Sequence, residues 1–298
     1  MTVTGRALPL LANIPMVADP VPVVVFSHGG SLNNDGHNLN KQWGALLARN
    51  GFAVIHVGHS EATGANGMTL CDAAGVPTAE CTLTEDENGM LAMFRSYDLT
   101  AVLDDLPRLS QVSQNNNGPE LDLTRVVVAG WSAGSRGPSV LMGAKIRPTA
   151  SAPLFKLAHT LPKAAMMLSP TGAGFGGYFD DGAENSWDEM RGPIFFATGT
   201  NDQKPSNALS GAIRRQAFDL QPAEGNRYML FSNLEVGVGG HGTYDLNDLN
   251  SPAPLPGLTM AIGSAALAFL DAEVNGNAAA REWLASDKAL SSPATLSG

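Results

Sequence analysis

The chain has 298 residues, 44% hydrophobic and 15% charged, enough for one large domain or two small ones and a substantial core. Its formal net charge of −10 argues against nucleic acid and anionic membrane surfaces as partners and disfavours a polyanionic substrate. No apolar run approaches the roughly 20 residues of a membrane-spanning helix.

The N-terminal stretch MTVTGRALPLLANIPMVADP has one arginine and a short apolar segment broken by Pro9, Asn13 and Pro15, which does not read as a signal peptide. The compartment stays open between the cytoplasm and export with a leader removed. Val21 to Ser27 (VPVVVFS) is a continuous apolar run, the pattern of a strand covered on both faces. It ends in His28-Gly29-Gly30-Ser31, where a glycine pair lets the backbone approach a ligand closely. Asn38 to Asn50 reads as a helix with Leu39, Trp43, Leu46 and Leu47 on one face, stopped by Asn50-Gly51. Phe52 to Val57 is the next strand, so the order strand, helix, strand predicts parallel pairing.

Residues 60 to 90 are polar and irregular, too long for a simple connection. They hold both cysteines, Cys71 and Cys81, which either close a small loop as a disulfide or remain reduced thiols. A helix follows, with Phe94, Tyr97, Leu99, Val102, Leu103 and Leu106 as its apolar positions. Pro107 is expected to end or kink it, leaving residues 111 to 119 as a surface loop.

Val126 to Ala129 is a strand that runs into Gly130-Trp131-Ser132-Ala133-Gly134, a G-x-S-x-G pattern. A serine at the tip of a tight strand-to-helix turn is exposed as a nucleophile, and the flanking glycines keep side chains out of the crowded turn. The N–H of Ala133 is then an oxyanion donor, and the N–H of Gly30, behind the earlier glycine pair, is the expected second. A helix from Ser132 to Lys145 is expected, with Pro138 in its first turns. Ala164 to Leu168, Gly192 to Thr198 and Arg227 to Ser232 read as further strands, Arg227 to Ser232 as the last. Helices are expected at Leu258 to Val274 and Ala278 to Ala285.

An acid and a histidine follow the serine at strand ends. Asp202 lies in Gly199-Thr200-Asn201-Asp202 and His241 in Gly239-Gly240-His241-Gly242. The acid sits where an open α/β sheet builds its site, beyond the carboxyl end of a strand. Asp180 and Asp181 are the reserve acids. Of the six histidines, His28, His56 and His59 fall near strand ends before the serine, and His28 reads as structural. His56 and His59 lack the further clustered ligands a metal needs. Gly172 to Gly177 fits G-x-G-x-x-G but is followed by poor helix sequence, which argues against a dinucleotide site. Phe175, Tyr178, Phe179 and Trp187 are candidates to line a substrate pocket, or else they pack a small lid on the body; Trp131 either touches substrate or packs beneath the helix.

In the stretches VPVVVFSHGG, FRSYDLTAVLDDL, VVVAGWSAG, GTNDQKP and GSAALAFLDAEVNGNAAAREWL the chain resembles the α/β-hydrolase superfamily. More narrowly it is similar to the dienelactone hydrolase and platelet-activating-factor acetylhydrolase-like group, with cutinase-like polyester hydrolases nearby. The chain reads as one domain over residues 1 to 298 with loop insertions near 60–90 and 172–190, and the resemblance, over roughly residues 20–60 and 92–290, implies a mostly parallel twisted sheet with helices on both faces. It implies a serine esterase with Ser132, His241 and Asp202 as triad, acting on a small-molecule or polymeric ester without metal or organic cofactor. Two strands usually precede the HGG strand in that superfamily, and only about 20 residues are available for them here. An amide, peptide or polyester hydrolase with the same triad, and a non-catalytic binding protein on the same fold, remain alternatives.

Overall fold

Three runs of β-branched and small residues, Val21–Ser27 (β2), Ala53–Val57 (β3) and the end of Leu121–Trp131 (β4), carry almost no charge and line up in parallel register. All seven residues of β2 are buried, because helices cover both faces and no alternation with polar residues is needed. The computed structural model describes residues 8–30, 36–59, 88–148, 152–173, 178–202, 211–222, 226–233, 240–247, 255–286 and 294–297. Ala164–Leu168 (β7), Ile194–Gly199 (β8) and Arg227–Ser232 (β9) extend the parallel set. Leu10–Asn13 (β1) and Ala294–Ser297 (β10) close the two edges antiparallel, giving the order β1-β3-β2-β4-β7-β8-β9-β10. The architecture is therefore α/β with a mostly parallel sheet. A small antiparallel pair, Lys145–Ile146 (β5) with Phe155–Lys156 (β6), lies apart from it.

Successive strand residues point to opposite faces, so each apolar run feeds two cores. Val23, Val25, Ile55, Val126, Val128, Met167 and Phe196 pack with Leu99, Val102, Leu103 and Leu106 of helix Asn88–Asn115 (α2). Val24, Phe26, Val54, Val127, Met166 and Phe195 pack with Trp43 and Leu47 of Lys41–Arg49 (α1) and with Ile262, Ala266, Phe269 and Leu270 of Pro256–Glu273. Among the described residues, no helix is long and apolar enough to cross a membrane.

Several boundaries differ from the sequence reading. Helix α2 passes through Pro107 to Asn115, taking in much of the expected 111–119 loop. An internal proline removes one helical hydrogen bond and costs about 3 kcal/mol. Here the ring faces solvent while Leu103, Leu106 and Ser110 are buried, so packing holds the helix across the break. Ser110 Oγ also receives the Leu121 N–H at 2.9 Å, tying the helix end to β4. The helix α1 begins only at Lys41, because Asn40 is left-handed at φ 58°, and Leu39 is exposed rather than on the buried face. After the elbow, the expected helix to Lys145 is a 3₁₀ turn, Ser132–Ser135, and a short helix, Arg136–Leu141 (α3), with Gly143 at φ +109° ending it. Arg227–Ser232 is not the last strand, since β10 pairs with its free edge, and among the described residues one strand, β1, precedes β2. Both edge strands are four residues long, too short for periodicity to reveal. Cys71, Cys81 and most of the 60–90 segment lie outside the described residues, as do residues 174–177 of the glycine motif.

Candidate active site

β4 ends in the turn that presents Ser132. Its backbone sits at φ 55°, a left-handed conformation that a serine adopts only when its surroundings impose it. The surroundings are backbone. A Cβ on Gly130 would overlap the Gly134 carbonyl, and a Cβ on Gly134 would overlap the carbonyl oxygens of Ser27 and His28 at the end of β2. The two glycines thus let β2, β4 and the 3₁₀ turn converge on one point.

His241 reaches this point from the 3₁₀ turn His241–Asp245 beyond β9, and Asp202 from the turn after β8. His241 Nε2 lies 2.7 Å from Ser132 Oγ, and His241 Nδ1 lies 2.7 Å from Asp202 Oδ1. The carboxylate is completely buried. Thr198 Oγ1 donates to Oδ2 at 2.7 Å, Ser169 Oγ donates to Oδ1 at 2.7 Å, and Arg214 Nε stands 3.3 Å from Oδ1. Burial pushes the Asp202 carboxyl up, but the Arg214 charge, the His241 hydrogen bond and charge, and the Ser169 hydroxyl together hold it below the usual carboxylate range. Asp202 therefore stays ionised and fixes the His241 proton on Nδ1, leaving Nε2 free to accept.

Trp131 is half-buried against the histidine. Its ring centroid is 4.7 Å from that of His241, and its Nε1 donates to the His241 carbonyl at 3.3 Å. A Cβ on Gly29 would overlap this indole, so the HGG segment, Trp131 and His241 form one packed stack. The Gly30 backbone is exposed, and Ala133 is half-buried in the first positions of the 3₁₀ turn. An N–H there has no carbonyl one turn back to bond.

Tyr178 and Trp187 do not line an open pocket. Both are completely buried, Tyr178 beneath the Arg136 guanidinium (4.5 Å to the ring centroid) and Trp187 against Phe179 at 5.4 Å. Aromatic side chains in a loop-rich segment have gone into the core, where their area stabilises most. Phe175 lies outside the described residues. The reserve acids have other partners: Asp180 is 2.6 Å from Arg147 Nη2, and Asp181 accepts from Gln216 at 2.8 Å. Of the two early histidines, His59 bonds Ser27 Oγ at 2.8 Å and Asp98 at 3.0 Å, while His56 packs on Phe26 at 5.3 Å. Among the described residues no group of His, Cys, Asp or Glu is arranged to hold a metal ion.

No family model matches this chain. No curated protein matches it either.

Three residues around Asp202 escaped the sequence reading. Ser169 is fully buried at φ 50°, just past β7, and its Oγ also lies 2.8 Å from His241 Nδ1. Its strand-end position in LSPTG was the available signal. Thr198 sits inside a strand, and buried Arg214 adjoins half-buried Arg215, so nothing local singles out either.

Asp245, at the far end of the His241 turn, is buried and accepts a hydrogen bond from Asn40 Nδ2. Burial pushes its carboxyl up to about 7, against the opposing effect of that bond. Between the ordinary carboxylate value and about 7 the folded chain keeps a proton that the unfolded chain gives up, so stability falls as pH rises through that window and levels off above it. Asp245→Asn keeps an acceptor for Asn40 and removes the buried charge. Chemical denaturation should show it stabilising the protein at pH 8 by roughly 2 to 3 kcal/mol more than at pH 5. An equal effect at both pH values would contradict the assignment.

Proposed function

We propose that this chain is a serine hydrolase that cleaves carboxylic esters through an acyl-enzyme, on a fold of the α/β-hydrolase type. The observation that carries the reading is the continuous chain Ser132 Oγ, His241, Asp202, with both links at 2.7 Å and the acid fully buried. Its placement supports the fold: nucleophile, acid and histidine follow β4, β8 and β9 at the carboxyl ends of parallel strands, in the chain order of that superfamily. The sequence resemblance to the same superfamily points the same way.

In this reading Ser132 Oγ attacks the ester carbonyl as its proton passes to His241 Nε2. Asp202 stabilises the imidazolium that forms. The developing oxyanion is bonded by the N–H groups of Ala133 and Gly30, each worth about 3 kcal/mol in the transition state. The alkoxide leaves with the proton from Nε2, and the acyl group stays on Ser132. Water then attacks the acyl carbon and gives its proton to Nε2. The Ser132 oxygen takes that proton back as the acid departs.

A fluorophosphonate probe tests the nucleophile. Wild type is expected to be labelled stoichiometrically and Ser132→Ala not at all. Labelling that persists in the variant removes the assignment. A panel running from short p-nitrophenyl esters through matched amides to polyesters then sets the substrate class.

A further inference from the structure

The segment His28-Gly29-Gly30 contains two consecutive peptide units with four polar groups: the His28 carbonyl, the Gly29 N–H, the Gly29 carbonyl and the Gly30 N–H. Side chains hold three of them. Arg95, buried on α2, donates from Nη1 to the His28 carbonyl and from Nη2 to the Gly29 carbonyl at 3.4 Å. Asn40 Oδ1 accepts the Gly29 N–H at 3.3 Å. His28 folds back on its own chain, with Nδ1 2.5 Å from the Gly29 carbonyl oxygen.

The His28 tautomer follows from its other nitrogen. Nε2 accepts the His59 N–H at 3.2 Å, so the ring proton is on Nδ1, and Nδ1–H donates to Gly29. Burial, with the Arg95 charge next, moves the His28 pKa far down, so the ring stays neutral and keeps this tautomer at ordinary pH.

The C=O and N–H of one trans peptide point in opposite directions. With the Gly29 carbonyl drawn towards Arg95 and His28, the Gly30 N–H of the same peptide is turned the other way. Among the described residues it has no acceptor, and a Cβ on Gly30 would meet nothing within 4 Å, so space is open beside it. The two residues before Gly30 lie against the elbow: a Cβ on Gly134 would overlap the His28 carbonyl, and a Cβ on Gly29 would overlap the Trp131 ring.

We propose that Arg95 and His28 are positioning residues that clamp the Gly29 carbonyl and thereby aim the Gly30 N–H at the oxyanion. This rests on the serine-hydrolase reading above. A donor aimed in advance costs no reorganisation during the reaction, and its loss weakens transition-state binding more than substrate binding.

The test uses the full chain with p-nitrophenyl butyrate. In His28→Gln an amide replaces Nε2 and the donor to Gly29 is lost; in His28→Asn an amide nitrogen stands near Nδ1 and the donor is kept. His28→Gln and Arg95→Lys are each expected to lower kcat about 30-fold with KM within about threefold, and His28→Asn to stay within about fivefold of wild type. Should Arg95→Lys not fold, the two His28 variants decide the matter. The clamp is overturned if His28→Gln keeps wild-type kcat, if His28→Asn falls as far as His28→Gln, or if the loss appears in KM alone. A wild type that neither hydrolyses the ester nor takes up fluorophosphonate overturns the serine-hydrolase reading, and the clamp with it. An active wild type with equally active variants overturns the clamp alone.

Discussion

His241→Ala is expected to lower kcat on a p-nitrophenyl ester by on the order of 10^5-fold, and Asp202→Asn by about 10^4-fold, with KM little changed in either. The two losses have different origins. His241→Ala removes the only group within hydrogen-bond reach of Ser132 Oγ among the described contacts, so nothing takes its proton. Asp202→Asn leaves the histidine in place but presents an amide that can donate to Nδ1, favouring the tautomer with Nε2–H, which cannot act as base. The variants should also differ in stability. The His241 side chain is only 10% exposed, but its truncation leaves the Asp202–Arg214 charge pair intact and should lower Tm less than loss of that pair. Asp202→Asn leaves the buried Arg214, 3.3 Å from Oδ1, without its counter-charge and should cost about 3 kcal/mol, read as a fall in Tm. Equal Tm values for both variants would contradict the structural role assigned to that pair.

Gly134→Ala should damage the fold itself. The new methyl would overlap the carbonyl oxygens of Ser27 and His28. Neither can withdraw: Ser27 is in parallel register with Gly130, and the His28 carbonyl is held by Arg95. We expect a loss of roughly 3 to 5 kcal/mol or no soluble protein, measured by thermal unfolding. Gly30→Ala is the matched control. Its Cβ meets nothing within 4 Å, so its Tm should stay close to wild type. A Gly134→Ala protein as stable as Gly30→Ala would mean that the elbow is looser than its geometry.

The strands were legible for a simple reason. A parallel strand covered on both faces must be apolar at every position, so VPVVVFS, AAMML and the other runs stand out without any partner being known. The three residues in hydrogen-bond contact at the site were legible for a related one. Each follows such a run directly or within a loop, with a glycine close by in the sequence. Pro107 misled because propensity is local, while the packing of Leu103, Leu106 and Ser110 that carries α2 past it is not. Tyr178 and Trp187 misled similarly. Their segment is polar and glycine-rich, yet both rings are turned into the core.

By itself, then, the sequence determined the parallel sheet, its strand-end turns and the side chains placed on them, since periodicity and glycine spacing are properties of short stretches. Only the tertiary structure decided which side chains support that chemistry. Arg214 and Arg215 are neighbours of identical type, and one is buried beside Asp202 while the other pairs with Asp219 at the surface. Arg95, on a helix far along the chain, meets the carbonyls that precede Gly30. Such roles depend on contacts between residues far apart in sequence, and no local pattern encodes them.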